Sequence, residues 1–347
     1  MRRVTGLVLV GLGAFAFVLG LMVKFYGEPR MVRVPLNQVS GTKSVSDGNS
    51  TILDRGRVAI RSGLKLTANR EVRGVVDGSK DDKTAVWRTA SSLIGPAGET
   101  FRVTEERVAI DRVSGLAVNC CDEQLDGDRA VKHSGLVFKF PFDAERKTYP
   151  FWDATAKGAF PARYVGTEKR AGLDLYHFQS RVPETTISDV SVPPALVGRE
   201  GTAAIEAEVV YTNTRDLWVE PRSGIIVEGR EQPKQVLRAG DGSDLATVLE
   251  ANIGYTPETV AKQADEAKTS AGKVFLAKTL LPVLLLVLGP VLILVGLLLL
   301  LLQRRRSSGR RRADPAAAAP AAAPDTVDLR DRSTADTSPS SQRADAT

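Results

Sequence analysis

Apolar residues follow two different patterns along this chain. At each end they run unbroken: Val4 to Val23 is twenty residues without a charge, and Thr279 to Leu302 is twenty-four. Each run is long enough, as a helix, to cross a hydrocarbon core of roughly 30 Å. Between the runs they alternate. Leu64, Leu66 and Ala68 interleave with Lys65, Thr67 and Asn69, and short runs at Phe101, Val103, Arg107 to Ile110 and Leu173 to Phe178 continue the period of two. That period marks strands with one buried face. Turn formers separate them at Val76 to Ser79, Gly95 to Gly98, Asp126 to Asp128, Arg170 to Gly172, Arg222 to Gly224 and Ala239 to Gly242. One soluble helix is expected, with Thr256 as N-cap, Pro257 in its first turn and Glu258 to Lys268 as its body. The predicted order is an N-terminus (1–3), a transmembrane helix (4–25), a β-rich domain (26–278), a second transmembrane helix (279–302) and a disordered tail (303–347). The domain divides into candidate subunits 26–130 and 131–255, followed by the helix 257–270. The expected fold class is therefore a mainly antiparallel β domain flanked by two transmembrane α-helices.

Charge gives the pattern a direction. Arg304 to Arg306 and Arg310 to Arg312 follow the second run, and such a basic excess marks the cytoplasmic flank. Two spans then place Arg2 and Arg3 in the cytoplasm as well, and the central domain outside it. A cleaved export signal is the rival for the first run, but its apolar part is long for one and Lys24 to Glu28 offers no small-x-small site. The chain holds 47 basic and 41 acidic residues. Setting aside the twelve basic and six acidic residues of the flanks and tail leaves equal numbers in the central domain. The basic excess thus belongs to membrane flanks, with anionic lipid as its partner, and gives no support to nucleic-acid binding. After Arg312 an Ala/Pro stretch and a polar tail lack the apolar surface to offset their ordering entropy.

A hairpin pattern occurs twice. Val108 to Val118 aligns without gaps on Leu217 to Val227: three strand residues, an acid, two connectors, Ser-Gly, three strand residues. The glycine supplies a turn conformation that a side chain resists, and the recurrence suggests two related, half-barrel-like β units. The stretch Tyr164 to Phe178 followed by the Leu217 to Glu231 hairpin resembles the strand series of LolA and LppX/LprG-type envelope lipid carriers. That likeness implies a curved sheet over an apolar cavity that receives acyl chains.

A second resemblance covers nearly the whole chain through Gln303. Arg2-Arg-Val-Thr-Gly-Leu, Asn119-Cys-Cys, His133-Ser-Gly-Leu-Val-Phe-Lys-Phe-Pro-Phe142, Lys147-Thr-Tyr, Phe151-Trp-Asp, Val165-Gly-Thr-Glu and Leu217-Trp-Val-Glu-Pro are together similar to an actinobacterial domain-of-unknown-function family often labelled PorA-family porin. The likeness implies a two-span envelope protein with one exported domain. The conduit is not carried over, because two helices cannot enclose one alone and no set of about ten-residue, lipid-facing strands is present.

Aromatic residues concentrate in one segment. If Leu136 to Asp143 is a strand, Leu136, Phe138, Phe140 and Phe142 share a face, with Tyr149, Phe151, Trp152, Phe160 and Tyr164 close behind. The candidate ligand-binding set is Phe138, Phe140, Phe142, Trp152 and Tyr164; ordinary core packing is the competing use of the same rings. Cys120 and Cys121 are the only cysteines and have three readings: a vicinal disulfide stiffening a turn, bridges to another chain, or free thiols. Ala16 and Gly20 on the first span, with Gly289 and Gly296 on the second, are candidates for close helix packing. His133 and His177 lack companions at metal-ligand spacing, and Asp122, Glu123, Asp126 and Asp128 lack the full ligand ladder of a calcium loop. No catalytic constellation, cofactor or metal site is expected. The reading is a non-catalytic envelope protein that binds or transfers a lipid or glycolipid. A structural or assembly role with envelope protein partners is the alternative, and a channel-associated role the third.

Overall fold

The structure, a computed structural model, describes residues 2–308; the first six residues of the predicted tail, 303–308, are helical, and the rest of it lies outside the described residues. Helix α1 (Arg2–Met22) passes through a π-helical turn at Val23–Gly27 into the short α2 (Glu28–Met31). Fifteen strands follow: β1 (Val39–Ser46), β2 (Ser50–Asp54), β3 (Ala59–Leu64), β4 (Thr67–Gly74), β5 (Thr84–Ile94), β6 (Thr100–Asp111), β7 (Gln124–Leu125), β8 (Tyr149–Asp153), β9 (Gly158–Arg170), β10 (Leu173–Val192), β11 (Ile205–Val219), β12 (Ile226–Glu231), β13 (Lys234–Ala239), β14 (Asp244–Glu250) and β15 (Ile253–Tyr255). The chain then returns through α3 (Pro257–Phe275), a second π turn at Leu276–Leu280, and α4 (Leu281–Ser308).

All strand pairs are antiparallel and join one sheet, in the order β3-β2-β14-β13-β11-β12-β15-β1-β4-β5-β6-β7, with β10, β9 and β8 continuing from β11. The two candidate subunits are therefore interleaved. Strand β2 of the first half pairs with β14 of the second, and β1 pairs with β15. The duplicated hairpin is real at the level of hydrogen bonds. Asp111 accepts from the amides of Val113 and Ser114, and Glu220 from those of Arg222 and Ser223. Gly115 and Gly224 then turn the chain at φ 75° and 72°.

Thr256 caps α3 by accepting from the Thr259 amide. This helix does not stop near residue 270 as expected; no proline intervenes before Pro282, so it runs on into the second membrane span as one apolar-ended rod, Pro257–Leu302. The spans α1 and α4 pack antiparallel, and their contact has a seven-residue period. Gly6, Gly13 and Gly20 are buried on α1, facing buried Pro282, Gly289 and Gly296 on α4. A methyl on Gly13 would lie 2.6 Å from the Gly289 carbonyl, and one on Gly296 2.7 Å from the Gly6 carbonyl. Gly20, Gly289 and Gly296 thus lie in the interface, while Ala16 is only half-buried and outside this glycine register. A repeat of seven keeps one face of a helix turned to its neighbour, which a single four-residue pair does not.

Candidate functional site

Where the β domain meets α3, a cavity of about 660 Å³ opens. Its walls are the Met31–Pro35 segment leaving α2, strands β1 and β4 (Thr42, Arg70, Val72), Trp87 of β5, the Phe138–Phe142 segment, and the inner face of α3 (Gln263, Glu266, Lys273, Val274). Two walls are direct continuations of the membrane helices. Both are fastened to the β domain: Trp87 Nε1 donates to the Pro35 carbonyl at 3.1 Å, Arg112 Nε to the Val34 carbonyl at 2.8 Å, and Lys278 Nζ donates to Asp143 at 2.6 Å.

The aromatic segment is not a strand. It lies against the β11–β12 turn, with the Phe140 amide donating to the Gly224 carbonyl at 2.9 Å and Ala144 to Pro221 at 2.7 Å. Gly224 is required twice here, by its φ and because a Cβ would fall 2.1 Å from the Phe140 carbonyl. Without strand alternation the rings separate in steps of four. Phe138 and Phe142 line the cavity and pack against the core that holds Trp87 and Val137. Leu136 and Phe140 turn the other way, into a core with Phe151 and Phe178, where Phe140 and Phe178 stack at 4.4 Å and are fully buried. Each such ring contributes about 2–3 kcal/mol of burial.

Phe140 therefore does not border the cavity, and neither do Trp152 or Tyr164. Trp152 is 4% exposed and donates its indole N–H to Glu106 at 3.0 Å. Tyr164 pairs its hydroxyl with Thr167 and packs edge-on to Tyr176 and Phe178. Cys120 and Cys121 are joined to each other, in a loop whose Asn119, Cys121 and Asp122 all have positive φ, and Arg107 donates to the Cys121 carbonyl.

Behind the cavity wall lies a cluster that motif spacing did not reveal. His133, fully buried, places Nδ1 2.8 Å from Glu123 and Nε2 3.7 Å from Glu106. Arg70 Nη2 approaches Glu106 from the cavity side at 4.0 Å. Burial alone would lower the His133 pKa, but the two carboxylates outweigh it and the net direction is up. Burial would raise that of Glu106; His133, Arg70 and the Trp152 N–H reverse it. Strand phase was the available signal, since Glu106 stands two residues before Val108 and four before Ile110, both buried. His177 is likewise absorbed into structure, bonded to Asp216 and Glu168 and stacked on Trp218 beneath α3. The acidic loop is committed as well: Glu123 to His133, Asp126 to the Glu105 amide, Asp128 to Lys157. Among the described residues no group of His, Cys, Asp or Glu is placed to hold a metal ion.

Lys139 is the exceptional cation. It borders the cavity with its ammonium 3.4 Å from the centroid of the Phe142 ring, and burial pushes its pKa down to about 7, with Glu220 opposing. Chemically, the site offers apolar walls with a few cations set into them, a binding surface in character.

A protein named Porin PorA from Corynebacterium amycolatum is 22% identical over 85% of this chain and 98% of its own length. Another Porin PorA, from Corynebacterium resistens, is 24% identical over 86% and 96%. A solved MaoC domain protein dehydratase from Chloroflexus aurantiacus aligns at 13% identity over 71% of this chain and 80% of that one; its TM-score of 0.13 says nothing about the fold. The family profile described as Porin PorA matches residues 5–298, from inside α1 to the last turns of α4. With both apolar helices and the whole intervening sheet inside that match, this chain belongs to the Porin PorA family.

Proposed function

We propose that this protein is a non-catalytic, membrane-anchored envelope protein whose β domain, held outside the cytoplasm, takes up an apolar or amphiphilic envelope component, a lipid or glycolipid, in the cavity beneath α3. The observation that supports this most is the position of the cavity. It lies within the size range of small-molecule sites, carries Trp87, Phe138 and Phe142 on its walls, and is flanked by the segments that lead into both membrane helices. From Val274 to Leu281 the helix climbs about 10 Å, so the opening sits near head-group level.

A channel-associated role is the second reading, favoured by the name Porin PorA that the relatives carry. Two features limit how it would operate. The exposed faces of the spans are apolar, including Leu12, Phe15, Leu284, Val287 and Leu298, and so do not suit a wet lining. The outward positions of the long β10 strand, such as Arg181, Glu184 and Asp189, do not form the apolar belt of a membrane barrel. Conductance would then require other chains. Native mass spectrometry of the detergent-purified protein, paired with planar-bilayer recording, tests both readings. We expect a co-purifying amphiphile and no current; an empty protein that conducts by itself would reverse the order.

A further inference from the structure

We propose that the cavity selects amphiphiles with an acidic head group, a carboxylate or a phosphate, bound by Lys139 and Arg70; this rests on the amphiphile-binding reading above. Both side chains line the cavity, and both carry unanswered donors. Among the described residues no carboxylate or hydrogen-bond acceptor pairs with the Lys139 ammonium, whose close neighbour is the Phe142 ring. Glu220, the acid nearest in effect, already accepts from the amides of Arg222 and Ser223. Arg70 keeps a buried Nε with no partner. Its one acidic neighbour, Glu106, is 4.0 Å away and is engaged by Trp152.

The balance of the lining points the same way. Arg33 is paired with Asp82 at 2.9 Å, which leaves Arg70, Lys139 and Lys273 beside Glu266 and an Asp265 that lies 3.6 Å from Lys268. A cation held over an aromatic ring gains from the ring quadrupole, yet in an apolar wall it still lacks the counter-charge that buried ions require. An anionic head group supplies it, forming charge-assisted hydrogen bonds to the ammonium and guanidinium. Trp87, Phe138 and Val274 then remain as the surface for the attached hydrocarbon. The head group thus orients the ligand and the rings hold its tail.

The test uses the full chain in phosphatidylcholine nanodiscs, with binding of oleate, dioleoylphosphatidic acid, dioleoylglycerol and inorganic phosphate read by native mass spectrometry and tryptophan fluorescence. Oleate and phosphatidic acid should bind at least about tenfold more tightly than dioleoylglycerol, the difference of one charge-assisted contact, and phosphate alone should not bind. Lys139→Gln should remove most of that preference while leaving dioleoylglycerol unchanged, and Lys139→Arg should restore it; circular dichroism and melting of each variant establish that it is folded. Equal binding of acidic and neutral lipids would overturn the head-group assignment and leave the amphiphile reading standing. Binding of phosphate as tight as phosphatidic acid would overturn the role of the tail. Failure of every lipid to bind would remove both readings.

Discussion

His133 and Lys139, both in the segment between β7 and β8, couple the β domain to pH in opposite senses. The folded pKa of His133 lies above the ordinary histidine value because of Glu106 and Glu123. Its contribution is therefore complete below about pH 6.5 and is lost as pH rises through the folded value. His133→Gln should cost about 3 kcal/mol at pH 6, in the range for breaking a buried charged pair, and less at pH 8. Denaturant melts at the two pH values measure this. For Lys139 the folded value is depressed to about 7, so the unfolded chain binds the extra proton between there and about pH 10, and stability rises with pH across that window. Burial is the larger influence and Glu220 favours the charge. Lys139→Met should accordingly be more stable than the native chain by about 1–3 kcal/mol at pH 6, the gap closing towards pH 10; a gap that widens would contradict it. The strand period could have exposed Glu106. Nothing in the sequence marked Lys139, because its place beside the cavity depends on a segment that abandons strand geometry to lie on the β11–β12 turn.

Among the elements, the helical hairpin is the most legible and the cavity wall the least. Each apolar run announced its helix by length alone, and the turn residues announced most of the strand boundaries. Their register against one another was not available from composition: Gly6 and Gly13 were missed because a pair spaced by four stood out more than a repeat spaced by seven. The interface makes a discriminating prediction. Gly13→Leu, whose first added carbon would meet the Gly289 carbonyl, should lower the unfolding midpoint of the solubilised protein by several degrees, an overpacking cost of about 1–3 kcal/mol. Gly11→Leu, with nothing within 4 Å of its added carbon, should leave it unchanged. Equal responses would mean that the spans do not pack through this face.

For the whole molecule, antiparallel helices α1 and α4 predict that Arg2 and Ser308 emerge on one side of a bilayer. The arginines flanking α4 predict that this side is the cytoplasm. A cysteine at Lys80, an exposed position, should react with a membrane-impermeant maleimide in intact cells, whereas one at Ser307 should react only after permeabilisation; the reverse pattern would invert the topology. The order of strands across the sheet was beyond the sequence, since every antiparallel partner satisfies the same alternation and only tertiary packing chooses among them. That choice has a consequence for biosynthesis. Strand β1 is flanked by β4 and by β15, the Thr256 amide bonds the Lys43 carbonyl, and β2 waits for β14. At about 5–20 residues per second, the ribosome needs on the order of ten to forty seconds after β1 has emerged to deliver β15. Throughout that interval a half-built sheet exposes unsatisfied edges, so a domain exported as proposed would place a sustained demand on whatever chaperone guards the far side of the membrane.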